Sequence, residues 1–509
     1  MAALVMMTAA CNNDDNEILT LEQPAKAKGI TITAQLAPKT GGATTRAVAD
    51  NGDNKITVTW AENEHIAVLY TKDETKYVAD ATITAVDGSG TATISFTVED
   101  GTPDDTPCTL VYPLSAAKDD HTGVKDAATL LAAQDGTLNA NLDVRVGEGT
   151  IQTTTPGLTV TTQPAAQFAI FKFTTQDESS TAIDVNSLTV FIGTQKYVIT
   201  PASATSELYA ALPAVSSQAV SFLAAGSDSK NYVFAKDGVT FAASKYYQSP
   251  LKMVPGAHLA ALTGAYTAQD GETLTGTLAG NYKISIAAGA TVTLNGVTIA
   301  RGFSSSCKWA GITCNGNATI TLADGSTNTV KGFYRSHPGI KAGPSGTTLT
   351  IQGTGTLNAS VNRSSDCQGA GIGSSQDNGG SCGNIIILGG TINATGGTGQ
   401  NTQGGPGIGN MGGNSCGAIT ILGGTINATG GYGSAGIGSG WSSSGSCGTI
   451  TIANTVEKVT ATKGSGAAIG KGTGSCGMVT IGGTIYWDGS AYQNGGDTYL
   501  TTSPFVYEP

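Results

Sequence analysis

The most reactive side chains in this sequence are nine cysteines, and their spacing says more than their number. Cys314, Cys382, Cys416, Cys447 and Cys476 each follow a Gly-Ile or Ala-Ile pair, and the last four sit in an identical Ser-Cys-Gly triplet. No Cys-x-x-Cys occurs, so zinc and dithiol redox motifs are absent, and the five positions read as one inward column of free, buried thiols. Adjacent rungs of such a column would lie within disulfide range but with parallel Cβ bonds, which strains a bridge. Cleaving a polysaccharide needs carboxylates gathered on one face. In the repeats the candidates are Asp324, Asp366, Asp377 and Glu457, spread over different repeats, with Arg335 and Arg363 equally scattered. The expectation is therefore no enzyme, no catalytic residue, no metal and no cofactor. Rings remain: Trp309, Tyr432 and Trp441 stand in Ser- and Gly-rich loops, where an exposed ring can stack on the face of a sugar. They are the candidate ligand-binding residues; in the alternative they fold back over the edge of the neighbouring chain.

A repeat must position those loops. Gly371-Ile372-Gly373 recurs at Gly407-Ile408-Gly409 and Gly436-Ile437-Gly438, with variants at Gly311-Ile312, Gly339-Ile340 and Ala468-Ile469-Gly470. Each strong copy continues through Ser-Cys-Gly into an alternating strand such as Ile419-Thr420-Ile421. It closes on a third strand, as in the paired Thr391-Ile392-Asn393-Ala394-Thr395 and Thr425-Ile426-Asn427-Ala428-Thr429. Three short strands in about 30 residues, with Gly-rich corners of variable length, predict one coil of a parallel β-helix. Six coils and a start-up coil over Tyr282–Ile299 give about six to seven, capped at the far end by Tyr486, Trp487, Tyr492 and Tyr499. Asn358, Asn393 and Asn427 should form an outward ladder.

The first half has a different character. Of the 71 glycines only 16 precede residue 261, and net charge is about −12 there against +1 beyond. Alternation with period two in Ile56-Thr57-Val58-Thr59-Trp60, Ile66–Tyr70, Thr91–Phe96, Phe168–Phe173 and Ser187–Ile192 predicts half-buried antiparallel strands. Ala127–Gln134 is the one candidate helix, and a short one. The whole chain is expected to be all-β: two N-terminal antiparallel β-sandwich domains, 24–150 and 151–264, then a Gly-rich parallel β-helix with its cap over 265–509. The overall charge of −11 and the lack of any Lys/Arg cluster argue against nucleic acid as a partner.

The N-terminus carries an address. Ten uncharged residues end in Ala9-Ala10 before Cys11, and a polar acidic run follows, which resembles the lipobox of bacterial lipoproteins. That resemblance implies a leader and tether over 1–23, lipidation at Cys11 and a lipid-anchored place at the outer membrane or cell surface. Two departures are the missing basic n-region and Thr8 where Leu is usual. Thr45-Arg46-Ala47, the run Thr57–Val68 and the closing Tyr246-Tyr247 resemble the fimbrillin family of surface lipoproteins over about 230 residues. The resemblance implies proteolytic processing at Arg46 and self-polymerisation by strand donation; the other reading of Arg46 is a solvated linker residue. From Asp270 onward the chain is similar to β-helical, carbohydrate-binding-type surface domains. Together these imply an adhesin or fimbrial subunit whose partners are surface glycans or a host surface, with a polysaccharide lyase or hydrolase as the alternative.

Overall fold

The computed structural model of the protein describes residues 29–39, 49–50, 56–302, 304, 306–361, 367–375, 380–399 and 403–509. The fold is all-β, with antiparallel sheets in its N-terminal part and parallel sheets beyond. The chain divides into two compact units, one made of 1–47, 58–124 and 145–165, the other of 48–57, 125–144 and 166–509.

The first unit is a seven-stranded sheet in the order Ile30–Leu36, Ala92–Val98, Thr75–Val86, His65–Lys72, Thr106–Tyr112, Arg145–Gln152 and Gly157–Ala166. In place of two separate sheets, one sheet gathers a single core: Ile32 and Leu36 from its edge share a cluster with Leu110 and Ile151 from its other half. The sheet also continues past residue 150, because Arg145–Gln152 pairs along its length with Thr106–Tyr112. Ile30–Leu36 is an edge strand that pairs at all seven positions with Ala92–Val98, and its alternation puts Ile32, Ala34 and Leu36 inside. Its exit is held by Lys39, whose Nζ lies 4.2 Å from the Trp60 ring centre, 3.8 Å from that of Tyr112 and 3.9 Å from Glu64. Trp60 in turn donates to the Ala37 carbonyl at 3.0 Å, and Tyr112 to Glu64 at 2.7 Å.

In the second unit, the sheet containing Phe168–Gln176 packs on the one containing Val215–Gly226, with Phe173 and Phe222 ring centres 5.5 Å apart. The predicted helix is a single turn, Ala127–Leu130, capped by Asp126 accepting from the Thr129 amide; Ala133–Gln134 is already strand. Val254–His258 is the bridge into the repeats. It pairs antiparallel with Asn231–Phe241 on one side and parallel with Thr273–Thr277 on the other.

The repeats then stack in parallel register. Ile312–Cys314, Ile340–Lys341, Ile372–Gly373, Ile408–Gly409, Ile437–Gly438 and Ile469–Gly470 form one ladder, preceded by two rungs, Tyr266–Ala268 and Ile284–Ile286, where the sequence suggested one start-up coil. Two further ladders run alongside, for example Asn384–Ile387, Ile419–Ile421 and Ile450–Ile452, and Thr356–Ser360, Thr391–Thr395 and Thr425–Thr429. The six coil isoleucines are fully buried, and burying an Ile side chain is worth about 1.5–3 kcal/mol. The Gly after the isoleucine is imposed by the neighbouring rung: a Cβ at Gly373 or Gly409 would meet the next glycine carbonyl at 1.9 Å, and both have φ near +140°. At the far end Phe505–Tyr507 pairs antiparallel on Lys458–Thr462, and the turn Gly496–Tyr499 brings the Leu500 carbonyl to the Ala468 amide at 2.8 Å. Tyr486 meets Tyr499 in a tilted ring contact at 4.5 Å and Trp487 meets Tyr492 at 4.9 Å, closing the apolar end.

Candidate binding edge

The loops on either side of Ile437–Gly438 bring Tyr432 and Trp441 to one corner. A Cβ on Gly433 would meet the Trp441 Cβ at 2.9 Å, so only glycine lets the two loops touch. Tyr432 is 50% exposed, the most open of the large apolar side chains among the described residues. Trp441 is half-buried. Its ring lies over Gly412 of the preceding repeat, which has φ +54° and whose Cβ would stand 3.4 Å from the indole nitrogen. That nitrogen is buried without a hydrogen-bond acceptor. The flanking Gly440, Ser442 and Ser443 offer the ring nothing, but the repeat before it does, and local sequence cannot display a partner 29 residues away. Trp309 is also turned inward: it is half-buried against the repeat core and meets Phe333 at 5.8 Å. It lies four rungs from the Tyr432 corner, about 19 Å at ~4.8 Å per rung, so the three aromatic candidates do not form one site.

Serine hydroxyls line this part of the repeats. Ser442 and Ser444 share a hydrogen bond at 2.9 Å, as do Ser415 and Ser446 from successive repeats, and Ser381 accepts from the Ser415 amide at 3.0 Å. The Asn ladder is continuous: Asn427 donates to Asn393 and Asn393 to Asn358, each at 2.8 Å. A half-exposed ring on a loop edge that also carries serine hydroxyls is suited to a neutral, hydroxyl-rich ligand. The described carboxylates of the repeats are engaged one by one, Asp324 with the Thr354 hydroxyl at 2.7 Å and Glu457 with that of Thr425 at 2.8 Å. Asp366, Asp377 and Arg363 lie outside the described residues, as do Cys11 and Arg46. Among the described residues no three His, Cys, Asp or Glu side chains gather as metal ligands would.

The cysteine column is shorter than the sequence suggested. Cys382, Cys416, Cys447 and Cys476 stack, with Ser415–Cys416, Ser446–Cys447 and Ser475–Cys476 forming a small parallel sheet and Cys382 bridging to Cys416. Cys314 is not a rung of it. It follows its isoleucine by two residues instead of seven to ten, so it pairs with Ile286 in the isoleucine ladder. Burial pushes the Cys314 thiol up to about 12. In the column, the hydrogen bonds that Cys382 and Cys447 donate to Cys416 raise both of them well above the usual thiol value, with burial adding to the effect. The same two donors pull Cys416, the rung between them, down to about 5.

Two features had no signal in the sequence. His258, in the bridging strand, stacks on Phe191 with ring centres 3.6 Å apart and meets the Ser221 hydroxyl at 2.8 Å; burial lowers its pKa to about 4. In the first unit a cavity of about 440 Å³ opens beside Lys76, Cys108, His121 and Glu148, with His121 held at φ +58°. Its lining comes from strands and a loop far apart in the chain, which alternation along one strand does not reveal.

No family model matches the chain, and no curated protein matches it. Among solved structures it is similar to a fimbrial assembly protein from Parabacteroides distasonis, at 13% identity over 45% of this chain and 95% of that one, with a TM-score of 0.28. It is also similar to the tip fimbrial protein Mfa3 from Porphyromonas gingivalis with C-terminal truncation, at 11% identity over 43% and 94%, with a TM-score of 0.24. A fimbrial protein from Bacteroides ovatus shares 12% identity over 44% of this chain and 50% of its own, with a TM-score of 0.22. With scores this low, the neighbours are proteins of fimbriae and the likeness carries nothing about what this chain binds.

Proposed function

We propose that this protein is a cell-surface adhesin or fimbrial subunit, lipid-anchored at the outer membrane, that presents a β-helix for attachment to glycans or a host surface. The observation that carries the reading is the corner at Ile437–Gly438, where the exposed Tyr432 and the half-buried Trp441 stand on a loop edge that also carries serine hydroxyls. The three parallel ladders support reading 265–509 as the coils of a β-helix, with the seven-stranded sheet of the first unit, the sandwich that follows it and the leader and tether over 1–23 as its carrier. Each stacked ring adds about 0.5–1.5 kcal/mol, so a single site is weak and attachment depends on many copies acting together.

Calorimetry of the full chain against pectic and mucin-type glycans tests this. Tyr432→Ala should lose about tenfold in affinity with an unchanged melting temperature, whereas Trp441→Ala should lose both affinity and some stability through its contact with Gly412. Binding that survives the double substitution, or release of reducing ends from any polymer, overturns the reading; the second outcome would favour a lyase or hydrolase.

Anchoring and assembly belong to the same proposal. Cys11→Ala should move the protein to the soluble fraction, and retention in the membrane would refute lipidation there. Cleavage after Arg46 would free the edge strand Ile30–Leu36, withdrawing Ile32, Ala34 and Leu36 from the core and opening the edge of Ala92–Val98 to a strand from another copy. Trypsin should cut at Arg46 early, and the cut protein should oligomerise; a cut product that stays monomeric marks Arg46 as a linker residue.

A further inference from the structure

The four stacked cysteines are not evenly related. Cys416, Cys447 and Cys476 belong to a regular sheet in which the preceding serines are paired too, so each side chain is held parallel to the next. Cys382 stands outside that sheet and meets Cys416 through a bridge of one residue. There the Cys382 amide donates to the Ser415 carbonyl at 2.9 Å and the Gly417 amide to the Cys382 carbonyl at 3.1 Å. Those bonds set the two backbones about 4.8 Å apart, inside the 4.4–6.8 Å over which cysteines are bridged. The sulfurs are 3.0 Å apart, well inside ordinary non-bonded contact of two sulfur atoms and directed at each other. Parallel Cβ bonds oppose a bridge within the regular sheet, and Cys382 lies outside that sheet, meeting Cys416 through a single isolated pairing that leaves its side chain freer to turn.

We propose that Cys382 and Cys416 are joined by a disulfide that ties together the repeats of Ile372 and Ile408, formed by exchange with a low-molecular-weight disulfide as the chain folds. The Cys416 thiolate attacks one sulfur of the small disulfide and expels one small thiolate, leaving a mixed disulfide. The Cys382 thiol gives its proton to that thiolate and attacks the Cys416 sulfur, expelling the second small thiolate, which takes up the proton that Cys416 lost on ionising. Two protein thiols have then lost two electrons and two protons, and one small disulfide has become two thiols. Either cysteine can make the first attack while the stack is still open, and the same bond results when the roles of Cys382 and Cys416 are exchanged. Both residues are buried in the folded protein, at 2% and 5% exposure, so exchange precedes closure of the stack and the finished bond is shielded from reductants. Cys447 and Cys476 remain thiols.

Cyanogen bromide separates the pair, since Met411 lies between Cys382 and Cys416. The full chain is produced in an oxidising compartment, denatured with N-ethylmaleimide to cap free thiols, and cleaved. The fragments 254–411 and 412–478 should run as one species without reductant and as two with it. Mass spectrometry of the joined species after thermolysin should find Cys382 linked to Cys416, with two fewer maleimide adducts than in fully reduced protein. Cys447→Ser should keep the link and Cys382→Ser should abolish it. Wild-type fragments that separate without reductant, or a link that maps to any other pair, overturn the proposal, and neither result requires a variant to fold.

Discussion

His258 makes the join between the second sandwich and the first repeat strand sensitive to acid, by an amount that can be worked out. Its Nδ1 accepts from the Ala260 amide at 3.3 Å, which leaves Nε2–H to donate to Ser221, and Phe191 covers one face. Gly276 closes in on the ring so tightly that a Cβ there would stand 2.4 Å from it. Burial is the whole cause of the fall in pKa from 6.5 to about 4, since no carboxylate is among these partners. Above pH 6.5 the ring is neutral in both folded and unfolded chains and contributes no pH dependence. Between pH 6.5 and 4 the unfolded chain binds the proton and the folded one does not, so stability falls as pH falls. The loss from this group is about 2 kcal/mol by pH 5 and approaches about 3 kcal/mol below pH 4. Urea unfolding of wild type and His258→Gln across pH 7.5 to 5 reads it. The variant, neutral throughout, should be less stable at pH 7.5 through the lost stacking, and the gap should narrow by about 2 kcal/mol at pH 5. Parallel pH profiles for the two proteins would show that the ring is not buried neutral, and the account of the join would fail.

Gly409→Ala should lower the melting temperature steeply, at a cost of about 3 kcal/mol or more, because the new Cβ meets backbone that cannot turn aside and the φ is one that L residues avoid; thermal unfolding close to wild type would refute the packing of the Ile-Gly rungs. Asn393→Ala should cost about 1–2 kcal/mol in urea unfolding, since it removes both links of the amide ladder and strands a half-buried acceptor on Asn358 and a donor on Asn427.

The repeat was legible because its period is written in residues that have one use. Ile followed by Gly, then an alternating strand, can be read without knowing the partner strand, since each rung's partner is another copy of itself. The Asn ladder followed from the same reasoning. The misreadings arose where contact distance and sequence distance part. Cys314 looked like a rung of the thiol column, but it lies two residues after Ile312 in the same strand and so belongs to a different ladder. Trp441 looked bare because its support, Gly412, belongs to the previous repeat. Alternation marked Ile66–Tyr70 and Thr91–Phe96 as strands but ran Ile56–Trp60 as one where only Ile56–Thr57 is paired, and it left one sheet and two facing sheets indistinguishable, because period two records which side is buried and not what buries it. His258 gave no signal at all, being a single polar residue whose role depends on Phe191 and Ser221 from other strands.

The Ile-Gly rungs also bear on how such a gene can change. Every rung presents to its successor the surface it receives from its predecessor, so the ends of the stack do not register how many rungs lie between them. The identical Thr391–Thr395 and Thr425–Thr429 segments show two successive units that could exchange places in the stack. Gain or loss of a unit of about 30 residues in frame would alter reach by ~4.8 Å while leaving the bridging strand and the C-terminal closure intact. Length in this half of the molecule is thus a heritable variable that populations can tune without redesigning a core.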